Sequence, residues 1–134
     1  MNEKLFIPYQ IAKQLKEVGF DEPCMAKWML DIIGDTLPHF RTNYARETLW
    51  CTHNNNGEEL QEYLWSAPMY QQVVDWFEAQ HCLFLYAFRV DGRWHWKVED
   101  ESSCIELGTN SNGFATQYLA LDEAIKKAIK LIKK

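Results

Sequence analysis

The chain has 134 residues, 47% of them apolar, including six Trp, six Tyr and seven Phe, which suits one continuous core over residues 1–134 and argues against a second. Its net charge of -5 argues against bulk attraction to nucleic acid or anionic lipid, which depends on Lys and Arg neutralising phosphate. No run approaches the ~20 apolar residues that cross a bilayer, and residues 1–10 lack a signal-type apolar run.

Residues 8–18 read as a helix. Pro8 suits its first turn, Ile11, Leu15 and Val18 share a face, and Gly19 is a left-handed stop that lets Phe20 fold back onto Leu15. The stretch 24–30 reads as a strand, with helix as the alternative because Met25, Trp28, Met29 and Ile32 keep helical spacing. Gly34 and Pro38 punctuate the next stretch, a strand is expected at 47–53, and Asn54-Asn55-Asn56-Gly57 makes a loop. Ser66 is placed to cap a helix with Pro68 in its early turn, whose apolar stripe is Met69, Tyr70, Val73, Val74 and Phe77 and whose end falls near Gln80. Strands at 82–90 and 93–99 flank Asp91-Gly92, a tight-turn dipeptide, and a third strand is expected at 103–107. A loop spans 108–113, a short extended piece falls at 114–119, and a final helix starts near Leu121. Leu121, Ala124, Ile125, Ala128, Ile129 and Ile132 form its apolar face, with Asp122 and Glu123 in the first turn and Lys130, Lys133 and Lys134 in the last.

The hairpin register decides which surface is open. A two-residue type I′ turn pairs Val90 with Arg93 and puts Leu85, Ala87, Trp96 and Val98 on one face, leaving Phe84, Tyr86 and Phe88 beside His95 and Lys97 on the other. A three-residue loop with a bulge instead gathers Phe84, Tyr86, Phe88, Trp94, Trp96 and Val98 on one face. The first register is preferred because it offers helices an aliphatic face to cover. It makes Phe84, Tyr86, Phe88, Arg93, His95 and Lys97 the candidate binding residues, a mix of rings and cations that could stack bases or hold a protein.

Cys24, Cys51, Cys82 and Cys104 lie at wide, uneven intervals without a Cys-x-x-Cys pair, as free thiols of a reducing cytoplasm do. Cys51 with His53, and His81 with Cys82, do not match zinc spacing, so scattered side chains are the simpler account. The acids Glu58-Glu59 and Glu99-Asp100-Glu101 read as solvated turns. Phosphate-loop, dinucleotide and nucleophile-elbow signatures are absent, so no catalytic residue, metal or cofactor is assigned.

SAPMYQQVVDWFEAQH at 66–81, LDEAIKKAIKLIKK at 121–134 and IAKQLKEVGFDEPC at 11–24 resemble helices of small uncharacterised proteins of gut-bacterial phages and prophages. That resemblance implies a phage or integrated-element origin and supplies no activity, cofactor or functional residue. The order helix, three strands, helix over 67–134 is also similar to the double-stranded-RNA-binding domain, although Asp122 and Glu123 stand where such domains carry phosphate-gripping Lys.

The expectation is an α+β fold whose small antiparallel sheet, with its central hairpin at 82–99, is packed on one face by two or three helices. The expected role is a non-enzymatic binding or accessory protein that contacts another protein or itself in the cytoplasm, with no membrane. Nucleic-acid binding through the aromatic and basic face is the alternative, disfavoured by net charge. An enzyme with a dispersed Cys/His site is the third reading.

Overall fold

The computed structural model describes residues 3–30, 37–42, 56, 64–102, 104–108 and 113–133, the stretch 104–108 by its backbone alone. The fold is mixed α+β, with antiparallel strands in two three-stranded sheets and two compact units, Met1–Met69 and Tyr70–Lys134.

In the first unit a 3-10 turn (Glu3–Leu5) leads to α1 (Tyr9–Glu17), entered from Pro8, which stands at the N-cap with extended backbone. Ile11, Ala12 and Leu15 form its buried face. Phe20 donates its backbone N–H to the Leu15 carbonyl at 3.0 Å, and Gly19 to that of Lys16 at 3.2 Å, the paired bonds of the expected Schellman ending.

The strand alternative holds at 24–30: β1 (Ala26–Met29) pairs antiparallel with β2 (His39–Thr42) and β3 (Leu64–Ser66) on its two sides. Trp28 lies opposite Phe40 on one neighbour and Trp65 on the other, a ladder that helical spacing cannot make. Its indole donates to the Ile7 carbonyl at 2.9 Å. Phe6, Ala26 and Ala67 form a small core against Leu5, Met25, Trp28 and Phe40.

Ser66 corrects the sequence reading, since it ends β3 and does not cap a helix. Its N–H is held by the Asn56 side-chain oxygen at 2.8 Å, while the Asn56 amide donates to the Phe20 carbonyl at 2.8 Å. Ala67 continues the pairing by donating to Ala26. Sheet hydrogen bonds thus claim 64–67, and the helix expected from Ser66 starts later. The strand expected at 47–53 and most of the Asn run lie outside the described residues.

The second unit runs α2 (Tyr70–His81), β4 (Phe84–Val90), β5 (Arg93–Glu99), β6 (Cys104–Gly108) and α3 (Gln117–Ile132). Pro68 therefore precedes α2, and its buried face is Tyr70, Val73, Trp76 and Phe77, with Trp76 taking the place expected of the exposed Met69. The strands form a sheet ordered β4-β5-β6. Helix α3 packs along β4 and β5, and α2 against β4 and α3. Fully buried Phe77, Val98 and Ile125 each contribute about 1.5–3 kcal/mol by removing apolar surface from water.

Helix α3 begins earlier than Leu121. Thr116 caps it, its hydroxyl oxygen accepting from the Leu119 N–H at 3.2 Å, so Asp122 and Glu123 fall beyond the first turn. The extended piece expected at 114–119 reduces to Phe114, which makes an isolated bridge to Trp94. The apolar face matches expectation, with Leu121, Ala124, Ile125, Ala128 and Ile129 buried.

Candidate binding face of the hairpin

Asp91 and Gly92 both have positive φ, 50° and 78°, the requirement of a type I′ turn. That turn fixes the expected register: Val90 opposite Arg93, Phe88 opposite His95, Tyr86 opposite Lys97 and Phe84 opposite Glu99. Side chains alternate across a strand, so these four pairs share one face of the hairpin. The opposite face holds Leu85 and Val98, 4% and 0% exposed, and is the side that the fold buries.

All six residues singled out from the sequence therefore meet on one surface. His95 stacks on Phe88 with ring centroids 5.8 Å apart. The Lys97 ammonium sits 4.9 Å from the centre of the Tyr86 ring and 3.0 Å from a Glu99 carboxylate oxygen. Tyr86 and Val90 remain 42% and 45% exposed, while Phe84 and Phe88 are half-buried. Arg93 is exposed, and its guanidinium donates to the Gly113 carbonyl at 3.4 Å.

Val90 and Glu99 belong to the same surface, although a search for rings and cations passes over them. Counting alternate residues back from the turn would have found both. The segment after β6 also matters: Trp94 and Phe114 exchange backbone hydrogen bonds at 2.9 and 2.8 Å, which brings Gly113 against Arg93 and His95.

Among the described residues the other candidates for chemistry do not assemble into a reactive cluster. The His81 ring packs on Trp76 and Phe77 at 4.9 and 6.0 Å. A hydrogen bond to Glu101, with its negative charge, pushes the neighbouring Cys82 thiol up, the opposite of an activated nucleophile. Cys24 is buried, with its thiol 3.4 Å from the Glu22 carbonyl. Asp100 accepts from the Ser102 N–H and hydroxyl at 2.9 and 3.0 Å, a local turn contact. Cys51, His53, Glu58 and Glu59 lie outside the described residues. Among the described residues no three His, Cys, Asp or Glu side chains gather as a metal site, and no helix is long and apolar enough to cross a membrane.

A polar cleft of about 600 Å³ in the first unit is lined by Lys4, His39 and Arg41 beside Glu3, Trp28 and Phe40. It is open and carries both charge signs, with Lys4, Arg41 and Glu3 on exposed stems.

Comparison with protein families, curated proteins and solved structures returns no match for this chain.

Proposed function

We propose that this chain is a non-enzymatic binding or accessory protein, of the kind carried by phages and prophages, that acts in the cytoplasm through a protein contact on the outer face of the β4–β5 hairpin. The observation that carries the reading is the exposed apolar pair on that face, Tyr86 and Val90, which keep two-fifths or more of their surface in water beside the half-buried rings of Phe84 and Phe88. Aromatic side chains that can leave water are the usual anchors of protein interfaces.

The electrostatics favour a protein over a phosphate backbone. Lys97 is held between Tyr86 and Glu99, and Glu99 adds a negative charge to the surface. A strand of nucleic acid would meet that carboxylate and a chain whose net charge is -5. The phage attribution is supported by the likeness at 11–24, 66–81 and 121–134, and the compartment by four cysteines at wide, uneven intervals without a Cys-x-x-Cys pair.

The test places a photoreactive phenylalanine analogue at Tyr86, and separately at the exposed Gln71 on α2 as a control, followed by irradiation in host extract. Discrete protein adducts through position 86 and not through 71 are the expected result. Salt-dependent retention of RNA or DNA on a filter, lost in Tyr86→Ala, would replace this reading with the nucleic-acid one.

A further inference from the structure

We infer that the outer hairpin face is self-complementary and takes a second copy of this chain, with the two hairpins face to face and antiparallel about a two-fold axis. The inference rests on the protein-contact reading above and names the partner.

Strand register supplies the complementarity. Along the face, the row nearest the turn is Val90 with Arg93, then Phe88 with His95, Tyr86 with Lys97, and Phe84 with Glu99 at the open end. The cationic end is thus Arg93 and the acidic end Glu99. A two-fold axis lying in the interface, perpendicular to the strands and passing midway between the Phe88 and Tyr86 rows, reverses this order in the second copy while keeping β4 over β4 and β5 over β5. Arg93 then faces the partner's Glu99, and Glu99 faces the partner's Arg93. On the other strand, Tyr86 faces the partner's Phe88 and Phe84 faces the partner's Val90. One operation brings opposite charges together twice and rings over rings, with His95 over the partner's Lys97 between them, whereas a two-fold axis along the strands would lay β4 over β5 and set Arg93 and Glu99 on the partner's Val90 and the partner's Phe84, pairing no charges.

Geometry allows this. Each strand of seven residues runs about 20 Å at ~3.4 Å per residue. Sheets packed face to face cross by about 30°, so the two central rows overlap best. The long Arg93 and Glu99 side chains can span the divergence at the ends. The eight side chains of the face are fewer than the roughly 20–30 residues a side of a standard interface, so the dimer is a weak, concentration-dependent one.

Sedimentation velocity of the full chain, from micromolar to near-millimolar concentration, tests the proposal with four samples: the unmodified protein, Arg93→Glu, Glu99→Arg, and an equal mixture of the two variants. Each single reversal creates two repulsions and is expected to weaken dimerisation about tenfold or more. The mixture is expected to recover it, because the variants complement each other at both ends. Far-UV circular dichroism checks that each variant is folded, and the mixture shows it independently.

A monomer at every concentration overturns the inference, as does a dimer indifferent to both substitutions. A monomer that still gives a discrete adduct to another protein through position 86 overturns the dimer alone, and one that gives no adduct overturns the protein-contact reading as well.

Discussion

The Tyr70 hydroxyl donates to a carboxylate oxygen of Asp122 at 2.7 Å, tying the first residue of α2 to α3, while the Tyr118 ring lies 4.8 Å from that of Tyr70. Burial, then the hydrogen bond to Asp122, pushes the Tyr70 phenol up. Tyr70→Phe keeps the ring and removes the donor, leaving a half-buried carboxylate without this partner. A hydrogen bond to a charged group contributes about 1.5–3 kcal/mol. The expected loss is near the lower end, about 1.5 kcal/mol, because water reaches part of Asp122. Urea unfolding measures it, and an unchanged midpoint would show that the bond stabilises nothing.

Asp122 also imposes a pH dependence opposite to that of most carboxylates. Burial raises its pKa above the ordinary 3.8, outweighing the Tyr70 hydrogen bond and Lys126, which pull it down. Between the ordinary and the raised value the folded chain holds a proton that the unfolded chain has released. The contribution of this group is therefore greatest below the ordinary value and is lost as pH rises through the folded one. Asp122→Asn keeps an oxygen for Tyr70 and removes the titration. The difference in unfolding free energy, wild type minus Asp122→Asn, should fall as pH rises from about 4 and then level off. A difference that grows with pH would contradict the raised pKa.

Gly113 and Gly92 separate backbone strain from close packing. Both have positive φ, 58° and 78°. A Cβ at Gly92 would meet nothing within 4 Å, whereas at Gly113 it would lie 2.9 Å from the Trp94 carbonyl oxygen and the Arg93 Cβ and 3.0 Å from the His95 ring. Gly92→Ala should cost about 1 kcal/mol from the left-handed backbone alone. Gly113→Ala adds a collision with backbone and should cost about 2–3 kcal/mol, opening the Trp94–Phe114 bridge. Hydrogen exchange at the Trp94 and Phe114 amides reads the opening directly.

Legibility from sequence depends on the range of the interactions involved. The β4–β5 hairpin is readable because its turn is local: Asp91-Gly92 sets the register, and the register alone sorts Leu85 and Val98 from Tyr86 and Lys97. The core face of α3 is readable for the same reason, through a period that repeats along one helix. Ser66 misleads because its capping chemistry is local, while the competing bond from Asn56 and the pairing of Trp65 with Trp28 come from distant parts of the chain. Residues 24–30 stay ambiguous for a similar reason, since Met25, Trp28 and Met29 fit a helix until Phe40 and Trp65 are placed beside them. The start of α3 is misread because the charges of Asp122 and Glu123 suggest a first turn, and the true cap, Thr116, lies in a stretch that looks extended. On the candidate face, the rings and cations stand out by type, whereas Val90 and Glu99 belong to it only through register.

Cys82 provides a stabilising substitution. It ends α2 with φ of 52°, donates its N–H to the Glu78 carbonyl at 3.2 Å, and so forms the left-handed cap that glycine ordinarily fills. Its side chain is exposed, so little packing is lost when it is removed. A non-glycine residue in this conformation costs roughly 1–2 kcal/mol, and glycine returns about 0.4–1 kcal/mol of that through its freer unfolded chain. Cys82→Gly should therefore raise stability by about 0.5–1 kcal/mol, seen as a higher urea midpoint with an unchanged slope. Cys82→Ala, which keeps the Cβ, should not. If Cys82→Ala matches Cys82→Gly, the gain comes from losing the thiol and its contact with Glu101, and backbone strain at the end of α2 is not its source.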